Sequence, residues 1–567
     1  MRGSEAIIRA LLEEKTRHIF GFPGGAVLPL YDEFLNFKKE LRHILVRHEQ
    51  GAAHAADAYA RVSGGAGVCV ATSGPGATNL VTGIMNAYMD SSPLIAFGGQ
   101  VQTSLIGNDA FQESDMMGIT MPITKHNFQV RDPNKLRSTI KKAFKIALNG
   151  RPGPVYIDLP KDIQAAEVTA EDNNFTIPGF KPVTAGHPMQ VKRAAEMILN
   201  AERPVIIAGG GIVWSMAWGE LRELAELFNI PVATTLMAKS AFPEGHPLCL
   251  GMLGMHGTKA ANYAVANSDL LIAVGCRFSD RITGNVRTFA GGSKKIHIDI
   301  DSAEIGKNVR VDLPIVGDAK NVLQQLNQLL RKISAKGKDS AWSEKARKFA
   351  KECNCSIDVS GNPIDPRKLL FEFNRALRED DIAVTGVGQQ QMFCAHFLKR
   401  SRPRTFISSG GAGTMGFGLP ASIGAKVAAP NVEVFDFDGD GSIAMTIQEL
   451  ATAKEENIKI TAVVMNNAYL GMVRQWEEIF FDRRYSSVHL GKTPDFAKLA
   501  EAYGLKGITV TRDSEISAAF KEARKSDEAV VMDVHVQEEA NVLPMFTAGG
   551  NAIDMFGGCV QAKGKLF

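Results

Sequence analysis

The run Val432-Glu433-Val434-Phe435-Asp436-Phe437 leads into Asp438-Gly439-Asp440-Gly441-Ser442, and further on Lys459–Met465 leads into Asn466-Asn467-Ala468-Tyr469. Both runs are rich in β-branched and aromatic residues and read as strands. Between them Ile447–Glu456 is made largely of good helix formers. Strand, helix, strand is the unit of a parallel sheet, and in open α/β sheets ligands bind beyond the carboxyl ends of the strands. Neighbouring strands would therefore bring Asp440 and Asn467 to one edge. Both offer hard oxygen ligands, and a backbone carbonyl just after Asn467 can add a third. That set suits Mg²⁺, which takes octahedral oxygen coordination completed by phosphate oxygens and water. Gly439 and Gly441 let backbone N–H groups approach a diphosphate, and the N-terminus of the following helix favours its charge. An Asp-Gly turn and an Asn-Asn turn are each common alone; together, at two strand ends, they point to a diphosphate and its cation.

The same alternation runs outward through the chain. In the first block His18–Gly21, Gly67–Thr72, Leu94–Gly98 and Val155–Leu159 read as strands, with helices around Gly51–Arg61, Thr78–Tyr88 and Asn134–Leu148. In the second, the strands are Pro204–Ala208, Pro231–Thr234, Leu270–Val274 and Lys295–Ile300, with a helix after Gly317-Asp318. In the third, Ile382–Thr385 and Val530–Val534 flank the opening pair. Polar, turn-rich stretches at Ala165–Pro188 and from Lys332 to Pro363 read as linkers. At 567 residues and roughly 100–200 residues per domain, the expectation is three doubly wound α/β parallel-sheet domains in series, over 1–164, 188–335 and 364–550.

The hydrophobic share of 45% and charged share of 22% are those of an ordinary globular protein. A net charge of +3 without a basic tract gives no nucleic-acid footprint. There is no apolar run of the ~18 residues that a membrane span needs. The chain enters a helix-like pattern at Ala6, Ile7, Ala10 and Leu11 without a signal-like apolar segment. Seven scattered cysteines, with Cys353 and Cys355 lacking a second pair at zinc-site spacing, suit a reducing cytoplasm.

Three further features are ambiguous from the residues alone. Glu49, in Arg47-His48-Glu49-Gln50-Gly51, follows the apolar run Ile44–Val46 and precedes an alanine-rich helix; it is either a functional acid or a helix-end charge. Met415, among Gly410-Gly411-Ala412-Gly413-Thr414-Met415-Gly416, reads equally as core filler. Gly209-Gly210-Gly211 after a strand is weak support for dinucleotide binding.

A resemblance resolves them. GDG (439–441) followed by NN (466–467), with HEQGAAHAADAYAR (48–61), resembles the thiamine-diphosphate-dependent enzymes. It sharpens to the acetolactate (acetohydroxyacid) synthase family through ATSGPGATNL (71–80), DAFQESD (109–115), GRPGPVYIDLPKD (150–162), QELAT (448–452), GMVRQW (471–476) and VLPM (542–545), and covers nearly the whole chain. Such synthases decarboxylate pyruvate on thiamine diphosphate and condense the two-carbon unit with pyruvate or 2-oxobutyrate, for branched-chain amino-acid synthesis.

The resemblance implies Mg²⁺ held by Asp440, Asn467 and the carbonyl of Tyr469. It places Gly388, Gln389, Gln390, Gly413, Met415, Gly439, Gly441, Ser442, Gly471 and Met472 around thiamine diphosphate. Met415 would support the bent cofactor, and the Gly413 carbonyl would accept from its amino group. Glu49 would sit at the aminopyrimidine, with Gln112 and Lys161 also on the catalytic side. Gly25, Phe111, Val473 and Trp476 would meet substrate, Trp476 at the position associated with the larger acceptor. A structural FAD would lie against Arg151, Gly209, Gly210, Gly211, Thr235, Leu236, Met237, Met255, His256, Gly275, Arg277, Asp299, Ile300 and Asp318. Sites between the first domain of one subunit and the third of another imply a homodimer or homotetramer, and family members commonly pair with a regulatory small subunit. The chain departs from the family's usual pattern at Gly386, where an acid is usual, and at Gln390, where a histidine is. Rival readings are another thiamine-diphosphate decarboxylase, carboligase or pyruvate oxidase, and a non-catalytic flavin- or nucleotide-binding homologue; retention of Glu49 and Asp440 counts against the last.

Overall fold

A computed structural model describes residues 1–333, 341–352, 361–492 and 494–557. Cys353, Cys355 and Cys559, with 334–340 and 353–360 of the stretch expected to be the second linker, lie outside the described residues; within that stretch Ala341–Glu352 is a helix that buries Trp342 and Ala346 in the middle domain's core. The chain forms three six-stranded parallel sheets in series. The first holds β1 (His18–Gly21), β2 (Arg42–Leu45), β3 (Gly67–Ala71), β4 (Leu94–Gln100), β5 (His126–Gln129) and β6 (Val155–Pro160). The second holds β7 (Pro204–Ala208), β8 (Val232–Thr234), β9 (Cys249–Met252), β10 (Leu270–Val274), β11 (Lys294–Asp299) and β12 (Leu313–Val316). The third holds β13 (Ile382–Thr385), β14 (Phe406–Ser408), β15 (Val434–Gly439), β16 (Thr461–Asn466), β17 (Lys506–Val510) and β18 (Val530–His535).

The strand orders are β2-β1-β3-β4-β6-β5, β12-β11-β10-β7-β8-β9 and β14-β13-β15-β16-β18-β17. Counted within each sheet, the outer two share one order, whereas the middle sheet has the 3-2-1-4-5-6 order of dinucleotide-binding folds. In that fold, ligands sit where the order reverses. Here that is between β7 and β10 in the middle sheet, and between β13 and β15 in the third.

The sequence reading found the four inner strands of every sheet and missed the two edge strands of every sheet: β2, β5, β9, β12, β14 and β17. Inner parallel strands are covered on both faces, so β3, β4, β6, β7, β10 and β15 are buried throughout; β3, β7 and β10 read as continuous apolar runs, while β6 and β15 carry buried acids at Asp158, Asp436 and Asp438. Edge strands such as β5 and β17 are half exposed, and β14 spans only three residues.

One core is shared between the outer sheets. Phe20, Cys69 and Ala96 on one face of the first sheet, and Val384, Val434 and Val464 on one face of the third, belong to a single buried cluster. Between them lie helices Glu49–Ser63 and Gly418–Ala428, which meet through small side chains: Ala52, Ala55 and Ala56 from one, Ala421 and Ala425 from the other. His48 caps the first helix by accepting from the Gln50 N–H at 3.1 Å, and Gly64 ends it at φ +80°.

At Gly424 an added Cβ would lie 1.9 Å from the Ala55 carbonyl oxygen. Gly424→Ala gains about 1 kcal/mol of helix propensity. Overpacking against backbone costs typically about 1–3 kcal/mol, and a contact this close belongs at the upper end. The variant is therefore expected to unfold at lower urea concentration than the wild type. A midpoint equal to or above the wild type's would show that the two helices separate freely.

Candidate active site

At the carboxyl end of β15, Asp440 begins a short helical turn; at the end of β16, Asn467 faces it across a small cavity of about 90 Å³. Gly388, Gln389, Gln390, Met415, Gly439, Gly441, Ser442, Tyr469, Gly471 and Met472 line the same cavity. Ser442 Oγ accepts the backbone N–H groups of Val387 and Gly416 at 3.2 and 3.1 Å, tying three loops together. Gln389 accepts from Asn467 Nδ2 at 3.3 Å and donates to Gln475 at 2.8 Å, which orients the Asn467 amide. Asn467 Oδ1 accepts the Tyr469 N–H at 3.2 Å. Gln390 turns inward and donates to Asp438 Oδ1 at 3.4 Å.

Asp440 is buried, and its Oδ2 has no hydrogen-bond partner. Burial pushes its carboxyl up to about 7, against the pull of nearby backbone N–H groups. A buried oxygen with nothing to satisfy it is costly. A divalent cation there would satisfy it and hold the carboxylate charged. Among the described residues no group of three or more His, Cys, Asp or Glu could hold a metal ion. One carboxylate, one amide and a backbone carbonyl are hard oxygen donors that suit Mg²⁺ with phosphate and water as its remaining ligands.

A cavity of about 900 Å³ opens beside it. Gly388, Gly413, Met415, Met472, Val473 and Trp476 form one end, and the switch point of the middle sheet forms the other. Every position assigned to FAD by resemblance lines this cavity except Gly209. Gly209 packs just behind it: its Cβ would sit 2.0 Å from the Gly275 carbonyl oxygen where the β7 and β10 turns cross. Asp299, at the end of β11, is pushed up to about 6 by burial. Arg151 reaches in from the first domain, donating to Ser91 Oγ and Glu304 Oε1, both at 2.8 Å.

Glu49, Gly25, Phe111, Gln112 and Lys161 line neither cavity. Glu49 is buried at the start of its helix and accepts from Asn79 Nδ2 at 2.9 Å. Phe111 is 88% exposed, and Gln112 has a left-handed backbone at φ +60°. Within one chain these first-domain residues do not meet Asp440.

Sequence reasoning missed Glu449 as a site-supporting residue. From the third domain its fully buried carboxylate accepts the N–H groups of Arg47 and His48 at 3.1 and 3.0 Å, holding the turn that leads into Glu49. It stands inside QELAT, which carried a resemblance but no role. Only the fold reveals its partners, some four hundred positions away in sequence.

A sheet of dinucleotide-binding order facing a cofactor-sized cavity, beside an acid and an amide at adjacent strand ends, defines a cofactor-dependent α/β enzyme. Family models agree: thiamine pyrophosphate enzyme N-terminal TPP binding domain over residues 1–119, central domain over 191–326, and C-terminal TPP binding domain over 386–534. The chain is 54% identical over 560 residues to the "Probable acetolactate synthase large subunit" of Methanocaldococcus jannaschii, covering 97% of this chain and 94% of that protein. It is 47% identical to the acetolactate synthase large subunit of Corynebacterium glutamicum, covering 98% and 90%. It is 48% identical to the acetolactate synthase of Mycobacterium bovis, covering 97% and 90%. The chain belongs to the acetolactate synthase large-subunit family of thiamine pyrophosphate enzymes.

Burial pushes the Glu449 carboxyl from its ordinary 4.5 up to about 7, although Thr452 and the N–H groups of Arg47 and His48 pull it down. The folded protein therefore holds this proton where the unfolded chain has lost it. Its stabilising contribution is complete below pH 4.5 and is lost as pH rises to about 7. Relative to Glu449→Gln, the wild type should lose on the order of 3 kcal/mol across that window and show no further relative change above it. Urea unfolding of both proteins at several pH values measures the difference, and parallel curves would rule the effect out.

Proposed function

We propose that the chain decarboxylates pyruvate and condenses the resulting two-carbon unit with a second 2-oxoacid, pyruvate or 2-oxobutyrate, giving 2-acetolactate or 2-aceto-2-hydroxybutyrate. The observation that carries the reading is the unpartnered, buried Asp440 Oδ2 facing Asn467, at one end of a continuous path to Met415 and Trp476. Bound thiamine diphosphate supplies the electron sink that decarboxylation needs. Asp440, Asn467 and the Tyr469 carbonyl would hold Mg²⁺, and backbone N–H groups at Gly439 and Gly441 would face the diphosphate. Met415 would support the cofactor's bend while the Gly413 carbonyl fixes its amino group. Met472, Val473 and Trp476 would line the reacting end with apolar side chains.

The proton chemistry falls to the Glu49 carboxyl oxygen. Because Glu49 lines neither cavity of its own chain, we assign it to the site of a second copy, together with Gln112, Lys161, Gly25 and the exposed Phe111. A homodimer is then the smallest active unit. The middle cavity would take FAD as a structural group, with Arg151 anchoring it from the first domain. Relatives named "large subunit" support a separate small subunit as a further partner. No described helix is long and apolar enough to cross a membrane. Cys69, Cys249, Cys276 and Cys394 are free, which suits the cytoplasm.

Two experiments test this reading. Pyruvate alone should give acetolactate, and omitting thiamine diphosphate or Mg²⁺ should abolish it; acetaldehyde or acetyl phosphate as sole product would overturn the assignment. Glu49→Ala should lower kcat by about 10²–10⁴-fold, the range for a positioned acid–base group, while thiamine diphosphate still binds in calorimetry. Undiminished turnover would remove Glu49 from the mechanism.

A further inference from the structure

The loop Gly410–Met415 is held from outside its own domain. Its backbone N–H groups at Gly410 and Gly411 donate to the two carboxylate oxygens of Asp90, at 3.1 and 2.6 Å. Asp90 caps helix Val81–Met89 of the first domain. One turn back on that helix, Asn86 Oδ1 accepts from Ser409 Oγ and from Thr414 Oγ1, the latter at 3.1 Å. Ser409 Oγ in turn accepts the Thr414 N–H at 2.9 Å. Both ends of the loop are thus tied to one helix.

That helix is itself braced. Arg61 donates to Asp90 Oδ2 at 2.9 Å, makes a two-pronged pair with Asp57 at 2.7 and 2.8 Å, and reaches the Ser408 carbonyl at 2.7 Å. Asn86 Nδ2 donates to Asp57 at 2.8 Å. Asp57, Arg61, Asn86, Asp90 and Ser409 are all buried, so water cannot replace these bonds. The approach is close: a Cβ at Gly411 would lie 2.8 Å from the Met89 carbonyl oxygen and 2.9 Å from Asp90 Oδ1. None of these bonds reaches the Asp440 end of the site.

We propose that Asp90 and Asn86 are positioning residues that set the Gly413 carbonyl and the Met415 side chain, and so fix the bend of the bound cofactor rather than its anchorage. This rests on the reading that this loop meets the cofactor's pyrimidine end. Two carboxylates against one guanidinium leave a net negative charge that the loop's N–H donors help to neutralise. The loop is therefore held by charge-assisted bonds, which are short and directional.

The test is Asp90→Asn, which presents an NH₂ group to donors where a carboxylate oxygen stood. In the holoenzyme, proton NMR in D₂O reads exchange of the thiazolium C2 hydrogen, the step that depends on the bend. Exchange and kcat should fall together by about tenfold to a hundredfold, the scale of a displaced reacting group. The thiamine diphosphate Kd and the KM for pyruvate should move less than about twofold. In the cofactor-free protein, amide hydrogen exchange at Gly410 and Gly411 should accelerate. Ser409→Ala leaves the Arg61–Asp57 pair intact and should act in the same direction, so the test survives if the first variant does not fold. Wild-type C2 exchange in a folded variant, or a loss that tracks cofactor affinity, would overturn the proposal. If the wild type itself neither binds thiamine diphosphate nor exchanges C2, the functional reading fails; if only the variants are unaffected, the positioning role alone fails.

Discussion

Everything at the site depends on how closely helices Glu49–Ser63 and Gly418–Ala428 approach. Their contact is made by alanines and by Gly424, so backbone meets backbone, and the outer sheets share one core. Larger residues there would part the domains. The Arg61–Asp57–Asp90 cluster would then lose its partners while still largely buried, and an uncompensated buried charge costs about 3–5 kcal/mol. Apolar packing therefore comes first. The polar bonds to Ser408, Gly410 and Gly411 convert that packing into a defined loop geometry.

A second constraint is electrostatic. Asp436, Asp438 and Asp440 alternate along β15 and its end, a spacing that puts them on one side of the strand. All three are buried. Burial raises each carboxyl, Asp438 and Asp440 to about 7 and Asp436 well above its usual range. Three ionised acids in so small a volume would repel strongly. Gln390 and the Gly439 N–H donate to Asp438 Oδ1, whereas Asp438 Oδ2, both Asp436 oxygens and Asp440 Oδ2 have no donor; of these acids Asp440 is the one that lines the cavity. Burial thus drives these acids toward their neutral forms, and a cation beside Asp440 Oδ2 would favour its charged form.

The fold was legible wherever sequence and burial carry one pattern. Most inner strands announced themselves as apolar runs, and the placing of Asp440 and Asn467 at adjacent strand ends was legible because a turn motif and a strand end coincide. The edge strands β5 and β17 were not legible, since half-exposed strands mix polar and apolar residues like loops. The polar supports were hidden for another reason. Glu449 acts on Arg47 and His48, and Asp90 on Gly410 and Gly411, across hundreds of positions, and no local periodicity encodes such a pair. Asp57 and Arg61 left a faint trace as an i,i+4 acid–base pair inside the HAADAYAR stretch. The glycines after β7 were legible as a set but not individually: Gly210 and Gly211 line the larger cavity, and Gly209 packs against the Gly275 turn.

The shared strand order of the outer sheets has a consequence for how such a site arises. Helix Glu49–Ser63 follows the second strand of its sheet, and helix Gly418–Ala428 follows the second strand of the other. Equivalent helices therefore face each other, the arrangement that a two-fold axis imposes on a pair of identical molecules. One polypeptide thus places two topologically equivalent helices face to face, with the middle domain between them in sequence. Glu49 opens one of these helices and the Met415 loop opens the other. The starts of two topologically equivalent helices therefore carry different residues, the buried Glu49 at one and the glycine-rich loop of Met415 ahead of the other.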